Sequence, residues 1–316
     1  MAQLPTPERI LAQREVIDPI FLNSPLMRHP ALDEALGTAC TLKVETLNPI
    51  RSFKGRGTEA VVAAMANNAP NGVITTSTGN FGQGIAWAAR RRGIAATIVC
   101  PFNANPMKVA AMRRLGADVI LADESEGDGK RLAPRLAAER GLSFIEDGKH
   151  LEIAAGNGTI AQEMTDAGVT PDVVVIQIGD GSLAEGVGGW FKEKSPAMRV
   201  IGVVAAGAPA MLKSMEAGHP VEIEAVTIAD GMAIDLPIPA ALELLPACVD
   251  EFVVVDDQQI AAAVRLLMET CGLLAEPSGA AGVAALMLRS DLAGLDVAAI
   301  ITGSNLDPSL YSRVFS

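Results

Sequence analysis

The chain has 316 residues, of which 49% are hydrophobic and 20% charged, with 30 glycines and a formal net charge of -12. This composition excludes a disordered chain, and the acidic balance argues against nucleic acid and anionic membrane surfaces as partners. The length admits roughly two domains with a sizeable core.

Residues 8 to 17 form a predicted helix, after which Pro19, Pro25 and Pro30 impose irregular backbone before a short helix at 31–36. Residues 40–45 alternate as a strand, Asn48 and Pro49 break it, and a helix is expected from near Thr58. Lys54 therefore belongs to a strand-to-helix turn, Ser52 to Gly57, reading SFKGRG. From Gly72 the pattern becomes regular, with strands at 73–76, 95–100, 118–121 and 142–145 and helices at 80–92, 106–115 and 129–140. A second alternation follows, with helices at 159–167, 257–271 and 278–289 and strands at 173–178, 200–204, 251–255 and 297–301. Strands separated by single helices imply right-handed crossovers, so the fold class is α/β with two domains, each a mostly parallel twisted sheet flanked by helices. The expected division is 1–67 with 151–316 as a larger domain, and 68–150 as a smaller inserted one.

Cys40, Cys100, Cys248 and Cys271 stand singly, which fits a reducing cytoplasm. His29, His150 and His219 lie far apart, so neither a histidine metal site nor a Ser/His/Asp triad is expected. Charges occupy the N-terminal stretch where a signal peptide has its apolar core, and no apolar run is long enough to span a bilayer. The run Arg90 to Arg92 is expected to complement a helix dipole and face water.

Four loops fall where strands end and helices begin, the place where open α/β sheets bind ligands. The first carries Lys54. In the second, Ser77 to Gly84 reads STGNFGQG, and its hydroxyls and backbone N–H groups suit a carboxylate. The third, Gly179 to Gly186, reads GDGSLAEG after the strongest strand; its glycines let N–H groups converge on a phosphate, yet it is neither a Walker loop nor a dinucleotide fingerprint. That combination points to a small phosphorylated cofactor. The fourth, Thr302 to Asn305, reads TGSN and offers neutral hydroxyls.

With Ser24-Pro25-Leu26, KVETLNPIRSFKGRG at 43–57, AAGNGTIAQEM at 154–164, TIADG at 227–231 and EPSGA at 276–280, these loops follow one another in the order of a known family. The chain resembles the fold type II pyridoxal-phosphate enzymes of the serine/threonine dehydratase group over nearly its whole length. The resemblance implies that Lys54 forms the Schiff base with pyridoxal 5'-phosphate and then removes the substrate α-proton, that Phe53 lies against the cofactor ring, and that Asn80 bonds the ring hydroxyl. It implies that the loop Gly179, Asp180, Gly181, Ser182 and Leu183 holds the cofactor phosphate, and that Thr302 partners the pyridine nitrogen. Ser77, Thr78, Gly79 and Asn80 would bind the substrate, the first three its carboxylate. A neutral partner at the ring nitrogen favours prompt loss of a β-leaving group. With no histidine or obvious carboxylic acid to protonate that group, the resemblance makes the cofactor phosphate the donor.

The expected activity is a lyase that removes water and ammonia from a β-hydroxy amino acid, giving an α-keto acid. The STGN and GDGSL variants lean toward a replacement enzyme of the threonine synthase or cysteine synthase type, racemisation is a further alternative, and a catalytically silent binding protein is the third reading. Asp180 departs from the family's plain-glycine loop and is expected to turn away from the phosphate. Val204 and Ala205 stand where metal-dependent relatives read Glu-Pro, so no metal is expected. Arg51 reads as a solvated neighbour of the lysine turn or as an anion contact. No C-terminal regulatory domain is expected after TGSN, and a homodimer is what the resemblance implies.

Overall fold

The β-branched runs form strands and the alanine- and glycine-rich runs between them form covering helices, in a computed structural model that describes residues 2–123 and 129–315. The strands are β1 (Leu26–Arg28), β2 (Ala39–Val44), β3 (Val73–Thr76), β4 (Ala96–Cys100), β5 (Asp118–Leu121), β6 (Ser143–Phe144), β7 (Val173–Gln177), β8 (Arg199–Ala205), β9 (Glu251–Val255) and β10 (Asp296–Ile301). One sheet has the order β1-β2-β10-β7-β8-β9 and the other β5-β4-β3-β6. All pairings are parallel except that of β1, which runs antiparallel to β2 at the edge. The fold is thus the expected α/β architecture. Its six-stranded sheet is buried on both faces, with Val173 and Val175 in one apolar cluster and Val174 and Ile176 in the other.

Two helix starts lie four residues or more from where the periodicity puts them, both because a glycine that reads as a loop serves close packing. The lysine helix spans Lys54–Met65 and so begins four residues before Thr58. A Cβ at Gly55 would come within 2.4 Å of the Phe21 ring, so this turn is helix pressed onto an aromatic side chain. The helix expected from 159 spans Leu151–Asp166. Its Gly156 lies against the lysine helix, where a Cβ would come 2.6 Å from the Arg56 carbonyl oxygen, and it crosses the helix Ser182–Lys194 so closely that a Cβ on Gly186 would lie 2.1 Å from the Ala154 carbonyl oxygen. The prolines between 19 and 30 did not exclude regular structure, since β1 lies among them as an edge strand. The arginine run is only partly solvated: Arg91 and Arg92 each lie 2.8 Å from the fully buried carboxylate of Glu59.

Beneath the lysine turn lies a buried charge cluster that the periodicity does not reveal. Arg56, with no exposed surface, donates from Nε and Nη2 to Glu45 at 2.8 and 2.9 Å, and from Nη1 and Nη2 to Glu163 at 2.7 and 2.9 Å. Nη1 also donates to the Thr159 hydroxyl at 2.9 Å. Lys43, on β2, completes the balance by pairing with Glu163 at 2.6 Å. Removing one member leaves an uncompensated buried charge, so Arg56→Ala should cost roughly 3–5 kcal/mol, read as a lower urea midpoint in equilibrium unfolding.

Candidate functional site

The carboxyl ends of strands from both sheets face one cavity of about 400 Å³. The loops after β3, β6, β7 and β10 supply Ser77 to Phe81, Asp147, Gly179 to Leu183 and Thr302, and the lysine helix supplies Phe53 and Lys54. Every site residue picked out in the sequence lines this cavity: Phe53, Lys54, Ser77, Thr78, Gly79, Asn80, Gly179, Asp180, Gly181, Ser182, Leu183 and Thr302. Arg51 does not line it and is exposed, in accord with a solvated neighbour of the turn.

The lysine turn is held by backbone bonds to the TGSN loop and by one side chain. Phe53 N–H donates to the Thr302 carbonyl at 2.9 Å, and Ser304 N–H donates to that of Arg51 at 3.0 Å. The Asn48 amide oxygen accepts from the N–H groups of Ile50 and Ser52, at 3.1 and 3.3 Å. Lys54 is therefore aimed by a turn tied at both ends. Its ammonium lies 5.0 Å from the centre of the Phe53 ring and 5.7 Å from that of Phe81. Nζ donates to Asp147 Oδ2 at 2.7 Å and to Asp180 Oδ2 at 3.0 Å. Burial disfavours the lysine's charge, but the two carboxylates outweigh it and hold its pKa above the ordinary lysine value.

One ammonium shared by two carboxylates drives their pKa values apart. Burial, then repulsion from Asp180, pushes Asp147 up to about 7. Asp180 is held below its usual range, because its attraction to Lys54 and its bonds to Ser182 outweigh its burial. The Asp180 side chain folds back over its own loop: Oδ1 accepts from Ser182 N–H at 2.8 Å, at the N-terminus of the helix Ser182–Lys194. The positive helix end and the lysine both attract it. Gly181 makes this possible by taking φ +102°, a conformation that disfavours side chains. Asn157, fully buried, donates from Nδ2 to the Ser182 hydroxyl at 3.3 Å, while its Oδ1 has no partner.

At the STGN loop, the Ser77 hydroxyl accepts from the N–H groups of Gly79 and Gly82 at 3.1 and 2.9 Å, fixing the entry to the helix Asn80–Arg91. Asn80 donates from Nδ2 to Glu276 Oε1 at 2.7 Å and accepts from Asn305 Nδ2 at 2.8 Å. Burial, then the charge of Asp230, pushes Glu276 up to about 7. Lys108, on the helix Pro106–Arg114, pairs with Asp230 across the cavity mouth.

Asp147, Glu276, Gln177 and the Lys108–Asp230 pair line the site without having been picked out as site residues in the sequence. Glu276 carried a signal, since it stands at the head of EPSGA, immediately before the proline-started helix Pro277–Met287. Asp147 carried a weaker one, an acidic residue before glycine just past a strand, obscured because β6 is only two residues long.

Residues 17–303 match the family model described as "Pyridoxal-phosphate dependent enzyme". The chain is 34% identical over 313 residues to the L-threonine ammonia-lyase of Thermotoga maritima, covering 98% of this chain and 78% of that protein. It is 34% identical to the biosynthetic L-threonine dehydratase of Haemophilus influenzae over 90% of this chain, and spans 56% of that longer protein. Among solved structures, maize serine racemase superposes with a TM-score of 0.91 at 27% identity, over 98% of this chain and 97% of that one.

Glu185 lies beneath the anion loop, 4% exposed and with Oε1 unpartnered, and burial, then repulsion from Asp180, raises its pKa to about 8. A carboxyl whose folded pKa is raised stabilises the fold at low pH and loses that contribution as pH rises between its unfolded value and about 8. Glu185→Gln, which cannot ionise, should therefore gain thermal stability relative to the native cofactor-free protein as pH rises from about 5 to about 9, as melts across that range would record.

Proposed function

The chain belongs to the pyridoxal-phosphate-dependent enzyme family, and from that premise we propose that it is an ammonia-lyase that takes a β-hydroxy amino acid of the threonine or serine type to an α-keto acid and ammonia. The observation that carries this reading is the convergence on one cavity of an amine, an anion-binding helix end and a hydroxyl-rich loop.

The residues present fit pyridoxal phosphate. The loop after β7 already carries an anion of the chain itself, the Asp180 carboxylate on Ser182 N–H, and Asn157 keeps an unpartnered buried oxygen beside it. Lys54, Phe53, Asn80, the loop from Gly179 to Leu183 and Thr302 would hold the cofactor. When bound, it supplies an electron sink that acidifies the α-C–H of an amino acid. Ser77, Thr78 and Gly79, at the start of a helix, suit the substrate carboxylate. Lys54, on a turn tied to the TGSN loop, suits a base at the α-carbon, and its burial excludes water that would compete for the proton. Asn80 is oriented by Glu276 and Asn305, so its amide faces the cavity in one rotamer.

The division into 1–67 with 151–316 and 68–150 belongs to the same reading, supported by the separation of the two sheets. We also read the enzyme as a cytoplasmic homodimer, a placement that suits its four free cysteines. Racemisation is a second reading, favoured by the likeness to maize serine racemase.

A panel of L-serine, L-threonine and other β-hydroxy amino acids should yield keto acid and ammonia from at least one member. Release from none, or inversion alone on chiral analysis, would reject the lyase. Lys54→Ala should lose the absorbance band of the lysine-linked cofactor and lower kcat by about 10³-fold or more.

A further inference from the structure

The loop after β7 carries a carboxylate of its own among the groups that suit an anionic ligand. Asp180 Oδ1 accepts from the Ser182 N–H at 2.8 Å, and Oδ2 accepts from Lys54 Nζ at 3.0 Å. One side chain thus engages an N–H of the anion loop and the amine, the groups that the phosphate and the aldehyde of the cofactor would each require. The backbone on both sides accommodates this placement. Gly181 takes φ +102°, and the loop after β6 presents Gly148 at φ +79°. A Cβ on Gly148 would come 3.0 Å from the Asp180 Cβ and 3.4 Å from its Oδ1, so glycine there leaves the carboxylate its room.

Little positive charge is at hand to reconcile this carboxylate with a phosphate. Among the described residues no arginine lines the cavity, and of its three lysines Lys108 pairs with Asp230 and Lys130 faces Asp235. Lys54 is the cation that meets Asp180, and Asp147 shares it at 2.7 Å. The attraction of Lys54 and the bonds to Ser182 keep Asp180 ionised. A phosphate brought to the loop therefore meets a resident like charge in a buried site where screening is weak, and the Ser182 N–H has a single hydrogen to give.

We infer that Asp180 is a built-in rival of the cofactor phosphate: its carboxylate caps the anion loop and must turn off the Ser182 N–H before the phosphate can take it. Whatever the carboxylate contributes to the cofactor-free chain is subtracted from cofactor affinity, because those bonds are broken on binding. The inference rests on the reading of the loop after β7 as the phosphate site, and it holds whichever amino acid the enzyme consumes.

The test strips the holoenzyme and its Asp180→Ala variant of cofactor and reloads both. Pyridoxal 5'-phosphate is titrated by the band of the lysine-linked cofactor. Inorganic phosphate, which has no aldehyde to join Lys54, is titrated by the upward shift it gives the melting temperature. Asp180→Ala should bind both about 10- to 100-fold more tightly, the worth of a hydrogen bond to a charged group, and should melt below the native chain when cofactor and phosphate are absent. Tighter cofactor binding with phosphate binding unchanged would locate the effect at the lysine and overturn the inference, as would unchanged or weaker binding of both. Should the Ala variant fail to fold, Asp180→Asn carries the test: it removes the charge at constant shape and should bind inorganic phosphate more tightly than the native chain, and equal or weaker binding overturns the proposal. A native chain that forms no cofactor band rejects the reading of the site, and this inference with it, whereas a native band with native and variant affinities alike rejects the inference alone.

Discussion

The position of Lys54 depends on a charge cluster buried around Arg56, two residues along the same helix. Arg56 has no exposed surface, and its guanidinium meets Glu45 beyond β2 and Glu163 and Thr159 on the helix Leu151–Asp166. With Lys43 the cluster holds two positive and two negative charges, so it is neutral as a whole. Apolar residues of equal volume could bury these elements at no loss of stability, because charges taken out of water must first repay their desolvation. What they would not supply is direction. The planar guanidinium, bonded on several sides, fixes the rotation of the lysine helix about its own axis, and that rotation decides where the side chain two residues earlier points.

The same logic operates at the cavity floor, where one ammonium meets two carboxylates. Asp147 and Asp180 come from loops on different sheets, after β6 and after β7, and Lys54 lies between them. Two negative charges around one positive cannot share it equally, and the asymmetry is set by backbone: Asp180 has the Ser182 N–H at a helix start, whereas the free oxygen of Asp147 has no donor. The outcome is one carboxyl raised and one lowered within the reach of one amine, the arrangement that lets neighbouring acids hold different protonation states.

Much of this was legible in the chain. The strands at 73–76, 118–121 and 251–255 and the helix at 257–271 form where periodicity puts them, because β-branched alternation and capping residues such as Asp256 act locally. The loops bearing Lys54, STGN, GDGSL and TGSN were legible as loops of one cavity because glycine and hydroxyl residues gather in short runs at strand ends. Harder to read were the glycines, since a glycine at a turn and a glycine under a crossing helix look alike in sequence. Gly55 and Gly186 are of the second kind, and only the Phe21 ring and the Ala154 carbonyl, brought in from distant segments, tell them apart.

By itself, then, the sequence determined the α/β class, the lysine, the anion loop and the kind of cofactor they suit, because each rests on a contiguous run with its own local chemistry. Tertiary structure alone decided what surrounds the lysine. Asp147 lies 93 positions from Lys54 and Asp180 lies 126 positions away, and nothing in either local run shows that they meet at its amine. Their charges acquire meaning only from separation in space and from burial, and both are properties of the folded chain.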